Sequence, residues 1–521
     1  MTQGVEIKTT KLSIKNILLV FGVLLLAWSI FIPVFEGPDE SGHYCHAEYI
    51  AKKRKLPNFL IQDGCFLAYP PGYYALVAPI IALRPAAKFD DVQIQPNPEY
   101  ISNRKGKDVF SKYIHPRSEL VFKWNPLLQT VHLVRLLSAA MGLGIIFLTI
   151  KAARLVTKFR WLPYASVMLF FNPMFLHTFS LVTNATLVSF LAAVFIYLHL
   201  KQEADNYSGR LAFLQGIVLG LGVITKINML SLLLGYVVVV VTSGQKLKRK
   251  IRHGLIIGLG FIVSAGWYIW RTLRLYGEPF EINIASSFRG ASMTRMQEMG
   301  IINYWSSFPD TLFQTFWSGY GLNKVWLPDM AVVGLLIPTL FALWGFFSSY
   351  RKLPRLAKVA WYYVAAVLVG HILINIKTEA FNAKDIFTAY LPLSLMVSFG
   401  AKNFVAKTRD NGFLTRKKFL IIFGLSMIFY AKFEIVRLAK LMLTDIGLTG
   451  GFTAESVSLP TVLLSFMGKG VVICGLILII RHFGRVYRKD GVRWKMAAGV
   501  LAIINVLVLG WTSYLLYSEF L

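Results

Sequence analysis

The segment Gly37-Pro38-Asp39-Glu40-Ser41-Gly42-His43 sets two adjacent carboxylates and a histidine directly after the first hydrophobic run. Neighbouring carboxylates tend to separate their proton affinities, so that one can act as a general base while the other supports it. A plainer reading stands level with this one on residue types alone: Pro-Asp suits a helix N-terminus, where an acid is favoured by the dipole. His43, one helical turn past Glu40, could orient that carboxylate, or be a polar residue on a wet interfacial helix. A divalent ion could be held by Asp39, Glu40 and His43, but no second cluster of ligand-type residues supports one. Cys45, Cys65 and Cys474 show no CxxC and no zinc-ligand spacing. Cys45 and Cys65, twenty residues apart, read either as a bridge or as two separate thiols.

These residues must be positioned by membrane helices. The 521 residues are 55% hydrophobic and 16% charged, with a mean hydropathy of +0.56, a balance that needs lipid as the main solvent. A bilayer core about 30 Å thick takes roughly 20 apolar residues per helix. Runs of that kind lie near 15–35, 132–150, 161–181, 183–200, 211–225, 228–243, 253–272, 330–349, 359–376, 386–401, 419–436, 459–480 and 496–517. The fifth and sixth are short, with Lys226 at their turn, which leaves about 12–14 spans in an all-α integral membrane protein. The first run is read as an uncleaved helix, because no small-x-small site follows IFIPVFEGPDE.

With the N-terminus cytoplasmic, about 30 of the 55 basic residues fall on inside ends, including the run KLKRK that ends at Lys250, as the positive-inside rule requires. Most of the net charge of +29 is therefore topology and not nucleic-acid binding. Lys432 and Lys469 fall inside expected spans, where charge is functional or snorkelled. Two long segments, 36–130 and 273–329, interrupt the helix rhythm on the opposite, extracytoplasmic face. In the first, HYCHAEYIAKK and YYALVAPIIAL read as helices lying at the membrane interface. In the second, YWSSFP, FQTFWSGYG and KVWLPD suggest an aromatic cap. No tandem repeat, Walker A or Rossmann fingerprint occurs.

Several pieces, in order, carry a family resemblance: Pro38-Asp39-Glu40 with His43, Tyr69-Pro70-Pro71-Gly72-Tyr73-Tyr74, and Val134-Arg135-Leu136-Leu137-Ser138. Asn172-Pro173, Thr225-Lys226, Trp267-Tyr268 with Arg271, Tyr276-Gly277-Glu278-Pro279 and Phe316-Trp317-Ser318-Gly319-Tyr320-Gly321 follow. Over roughly residues 15–400 the chain resembles the GT-C superfamily of membrane glycosyltransferases. It looks most like a set of uncharacterised bacterial and archaeal membrane proteins whose first outside loop reads PDE followed by His. It departs from them at Asn184-Ala185-Thr186, where an acid is missing, and at Ala383-Lys384-Asp385 with Tyr390, where relatives often show GRY. The WWDYG motif of oligosaccharyltransferases is absent, which argues against en bloc oligosaccharide transfer.

The resemblance implies a catalytic module over 1–400 followed by C-terminal helices over 401–521, in the cytoplasmic membrane with the site facing outward. It implies an inverting transfer of one sugar from a polyprenyl-phosphate donor, undecaprenyl- or dolichyl-like, to a glycan, lipid or protein acceptor. Asp39 is then the first choice for the base that takes the acceptor proton, with Glu40 as partner or alternative. Arg271, Arg274, Lys384, Lys226 and Arg135 are the candidate cations for the leaving phosphate, each weighed against interfacial snorkelling. Tyr69, Tyr73 and Tyr74 either pack on sugar or isoprene units or anchor an interfacial helix. The rival readings are an O-antigen polymerase or ligase, in which the large loop comes late and basic residues do the work, and a transporter or flippase of lipid-linked sugars, which would show inverted repeats. The topology has a direct test. Externally added thiol reagent should label cysteines introduced near Lys105 and Arg295 but not near Lys248; the opposite pattern would reverse the orientation.

Overall fold

The computed structural model describes residues 14–61, 69–84, 95–97, 112–115, 125–157, 162–204, 208–284, 300–320, 339–340, 342–376, 382–410 and 499–510. The spans expected at 419–436 and 459–480, with Lys432 and Lys469, lie outside them. Among the described residues, five helices are long and apolar enough to cross a membrane. They are α1 (Ile14–Phe31), α4 (Pro126–Val156), α7 (Asn184–Ala204), α10 (Leu247–Tyr276) and α12 (Arg355–Asn375). Shorter apolar helices include α8 (Gly209–Val223), α9 (Ser231–Val241) and a late one at Gly499–Gly510. Leu255, Leu259, Ile262, Val263 and Trp270 on α10 are exposed, as lipid-facing residues are. The chain is a multi-pass membrane protein.

Both helices expected in the first long loop are present: α2 (Glu40–Lys53) and α3 (Gly72–Ala82). Two short strands, β1 (Gln95–Pro96) and β2 (Tyr113–Ile114), pair antiparallel further along it. The second long loop supplies α11 (Ile301–Trp317).

One expected span is broken. Residues 161–181 form α5 (Leu162–Ser166), a 3-10 turn at Met168–Phe171 and α6 (Pro173–Thr178). The cause is local. Pro173 starts a new helix at its first position, and the Asn172 side chain caps it by accepting from Met174 N at 2.9 Å. The broken segment is held by polar ties: Asn172 Nδ2 donates to the Phe316 carbonyl at 2.6 Å, and the Tyr390 hydroxyl to the Leu169 carbonyl at 2.8 Å. Tyr390 opens α13 (Tyr390–Asp410) and packs among Phe170, Phe175, Phe316 and Phe387. Three motifs far apart in sequence, Asn172-Pro173, Phe316-Trp317 and Tyr390, thus form one aromatic joint.

In lipid, helices associate by close packing and not by escape from water. α8 and α10 show the consequence. A Cβ on Gly216 would run into the Ile257 carbonyl, and one on Gly220 into the Ser264 side chain. At the end of the bundle away from the acidic motif, Arg355 ties α12 to α7 through Glu203 at 2.7 Å and to α9 through the Thr242 carbonyl at 2.9 Å.

Cys45, on α2, is disulfide-bonded, and its partner lies outside the described residues. Of the alternatives the sequence leaves open, the bridged one therefore holds for Cys45. Non-reducing peptide mapping should recover a pair linked through Cys45 and Cys65, and reduction should cost about 3 kcal/mol of stability for a loop of that length. Two freely alkylated thiols at these positions would remove the staple.

Candidate active site

The three acids of the FEGPDE segment have separate fates. Glu36 is buried; its carboxylate accepts from Lys112 N and Tyr113 N at 3.0 Å each and pairs with His115 Nε2 at 2.9 Å. It fastens the β2 strand over the start of α2, where the Tyr113 hydroxyl donates to Ser41 Oγ at 3.0 Å.

Glu40 is also buried, and Arg135 of α4 grips it with two hydrogen bonds of 2.8 Å, from Nε to Oε1 and from Nη2 to Oε2. Oε1 further accepts from Val182 N at 2.9 Å, and Oε2 from Phe35 N at 3.0 Å. The remaining Arg135 protons go to the carbonyls of Ser29, Ile32 and Pro33. A bidentate pair so fully bonded has no capacity left for chemistry. The geometry thus corrects two expectations. Glu40 is enclosed where an acceptor hydroxyl cannot reach it, and Arg135 has no donor to offer a phosphate.

Asp39 differs from both. It precedes α2 with φ 61° and ψ 10°, a left-handed conformation that Asp tolerates better than most residues, and its side chain makes no capping hydrogen bond. Asp39 thus takes the N-cap position of the plain reading without a side-chain capping bond. The side chain is 47% exposed, and its Oδ2 lies 3.6 Å from Lys384 Nζ. Phe35, at the other side of the turn, is left-handed as well, with φ 71°. Two such residues persist only where the surroundings over-determine them. Here Glu40, accepting from the Phe35 and Gly37 amides and anchored by Arg135, supplies that constraint.

Lys384 is placed by a pinned 3-10 turn, Ala383–Ala389. Asn382 Oδ1 accepts from Lys384 N at 3.0 Å, and Thr315 Oγ1 of α11 accepts from Ala383 N at 2.9 Å. The next residue, Asp385, accepts a short hydrogen bond from Lys226 Nζ, and both side chains are nearly buried. Burial alone would raise the Asp385 carboxyl; Lys226, His371 and Lys384 together hold it below the usual range. Lys226 sits in the turn between α8 and α9, and that turn is docked on the Tyr-rich segment. Gly72 N donates to the Ile224 carbonyl at 2.6 Å, and a Cβ at Gly72 would strike Thr225 Oγ1 and that same carbonyl. The Tyr-Pro-Pro-Gly and Thr-Lys motifs are thus two halves of one contact.

His43 is buried, and its Nδ1 is 2.8 Å from the Tyr74 hydroxyl. Its ring stacks on those of Tyr69 and Tyr74, while His46 lies flat on Tyr74 at 3.9 Å. Desolvation, opposed by Asp39 and aided by Lys384 and Lys226, lowers His43 to about 3. At neutral pH it is an uncharged ring in an aromatic wall. Tyr73 and Tyr74 are buried in the same wall, and Tyr69 is partly exposed at its edge. Among the described residues no three His, Cys, Asp or Glu side chains form a group that could hold a metal ion.

The remaining two cations sit at the end of α10. Arg271 donates from Nη2 to the Pro57 carbonyl at 2.7 Å and lies 3.8 Å from Glu281, while Arg274 covers the Trp270 ring. Of the expected phosphate ligands, Lys384 is the one that faces Asp39, with Lys226 joined to it through Asp385. Sequence reasoning passed over Glu36, Asp385 and Thr183, whose Oγ1 lies 3.4 Å from His43 Nε2. The signal for Asp385 was available: an acid adjoining Lys384 at the very point where the chain departs from GRY.

No family model and no curated protein matches the chain. Two solved structures match nearly all of it. One is the crystal structure of ArnT from Cupriavidus metallidurans bound to undecaprenyl phosphate, with a TM-score of 0.53 and 14% identity over 97% of this chain and 78% of that one. The other is the same protein in the apo state, with a TM-score of 0.55 and 14% identity over 96% of this chain and 76% of that one. The likeness is one of fold: the chain has the membrane GT-C fold of ArnT.

The division between Asp39 and Glu40 is testable by stability. Glu40→Gln or Arg135→Ala should cost about 3–5 kcal/mol, because each leaves a buried charge without its partner. Asp39→Asn, at a half-exposed side chain, should shift unfolding by no more than about 0.5 kcal/mol. Thermal unfolding in detergent compares the three variants.

Proposed function

We propose that this chain is an inverting membrane glycosyltransferase that moves one sugar from a polyprenyl-phosphate donor to a cell-surface acceptor on the extracytoplasmic side. The observation that carries the reading is the pair of Asp39, an exposed carboxylate held left-handed and uncommitted to capping, and Lys384, 3.6 Å away. A base for the acceptor proton and a cation for the leaving phosphate are the two groups that a displacement at a glycosyl carbon needs at one site.

In this reaction Asp39 takes the proton of the acceptor hydroxyl as its oxygen attacks the anomeric carbon. The bond from that carbon to the phosphate oxygen breaks, and its electron pair leaves with the lipid phosphate. Lys384, with Lys226 behind it, stabilises the charge that builds there. Single displacement without a covalent enzyme intermediate inverts the anomeric centre. The neutral ring of His43, stacked on Tyr69 and Tyr74, adds no charge to compete with Lys384, and Tyr69, partly exposed at the edge of the aromatic wall, offers a face for a sugar or isoprene unit. Support also comes from the fold shared with ArnT, one of whose structures holds undecaprenyl phosphate.

Turnover of a labelled polyprenyl-phosphate sugar in proteoliposomes tests the reading. Asp39→Asn should lower kcat by about 10²-fold or more, since the carboxamide keeps the size but cannot take the proton. Full activity in Asp39→Asn would end the role of this carboxylate. Movement of intact lipid-linked sugar across the membrane without transfer would favour a flippase.

A further inference from the structure

The Lys226–Asp385 pair is an unusual way to keep a phosphate ligand. A cation intended only for phosphate would be left facing the site, yet Lys226 donates its Nζ to a carboxylate on the adjoining turn. Asp385 is itself fixed: Asn228 Nδ2 donates to its carbonyl at 3.3 Å, and the turn that carries it is held by Asn382 and Thr315. The pair is joined to the site, because Lys384, the residue before Asp385, reaches Asp39.

We propose that Asp385 is a positioning residue that competes with the lipid phosphate for Lys226. The carboxylate holds the cation in the resting site, yields it as negative charge builds on the leaving phosphate, and reclaims it so that the product is released. The inference rests on the glycosyltransferase reading. No bond is made or broken in the exchange; one charge-assisted hydrogen bond replaces another. The ligand chemistry is a phosphate monoester at the end of an isoprenoid chain, recognised at its headgroup.

The sign of the effect separates this role from a structural one. Removing a buried partner of a lysine ordinarily weakens whatever the lysine supports, whereas removing a competitor strengthens it. Binding of a short-chain polyprenyl phosphate to the purified full chain, and of inorganic phosphate as a headgroup-only arm, is measured without turnover. Asp385→Asn should bind the lipid phosphate about fivefold more tightly than the wild type. Lys226→Gln should bind it more weakly, and the double variant should be no tighter than Lys226→Gln alone. Asp385→Glu, which restores the competitor, should return affinity to within about twofold of the wild type. Asp385→Ser, which leaves room for water beside Lys226, repeats the test if the asparagine variant does not fold. Equal tightening with inorganic phosphate supports exchange at the headgroup, and tightening confined to the lipid supports exchange only once the chain is seated. Unchanged or weaker binding in Asp385→Asn and Asp385→Ser, or a double variant as tight as Asp385→Asn, overturns the proposal and leaves the glycosyltransferase reading intact. A wild type that binds no polyprenyl phosphate overturns both.

Discussion

The site depends on the buried pair between Glu40 and Arg135. Two charges taken out of water cost several kcal/mol each, and their attraction repays this only when every proton and lone pair is matched. Here they are matched: the guanidinium bonds Glu40 and three carbonyls at the end of α1, and the carboxylate takes amides from both sides of the acidic turn and from Val182. One interaction thereby ties α1, α2, α4 and the entry to α7. The turn between Phe35 and Glu40 is left with no freedom, and Asp39 is presented outward with a left-handed backbone that a looser loop would relax.

The same logic extends across this end of the bundle. Five segments at this end are joined by four polar contacts: Gly72 to Ile224, Lys226 to Asp385, Ala383 to Thr315, and Lys384 to Asp39. Lipid offers these groups no hydrogen bonds, so each must be satisfied by another segment. The outcome is a connected set of contacts that places a carboxylate and a cation side by side. The opposite end has its own tie in Arg355.

Much of the scaffold was legible in the sequence because lipid leaves a coarse signature. Runs of about 20 apolar residues mark α1, α4, α7, α10 and α12. The break at Asn172-Pro173 was not read, although an Asn before a Pro is a helix start wherever it falls. Hydropathy averaged over the segment hid it. α2 and α3 were legible as helices from their patterning and from being too short to span.

Within the site, residue type was legible and role was not. Asp39 and Glu40 are chemically alike and adjacent, and a window of sequence cannot tell which turns inward. That choice is made by Arg135, 95 positions away, whose guanidinium needs a carboxylate at the level where α1 ends. Arg135 looked equally fit for a phosphate, since a fork that grips one anion grips another. What separates the two uses is depth: a completely enclosed arginine must carry its counter-ion with it, whereas a cation that meets a mobile phosphate must keep an exposed edge. Lys384, partly exposed beside Asp39, meets that requirement. Lys226, nearly enclosed, carries Asp385 in the manner of Arg135, but a lysine that makes one charge-assisted bond can release it, and an arginine that makes five bonds cannot.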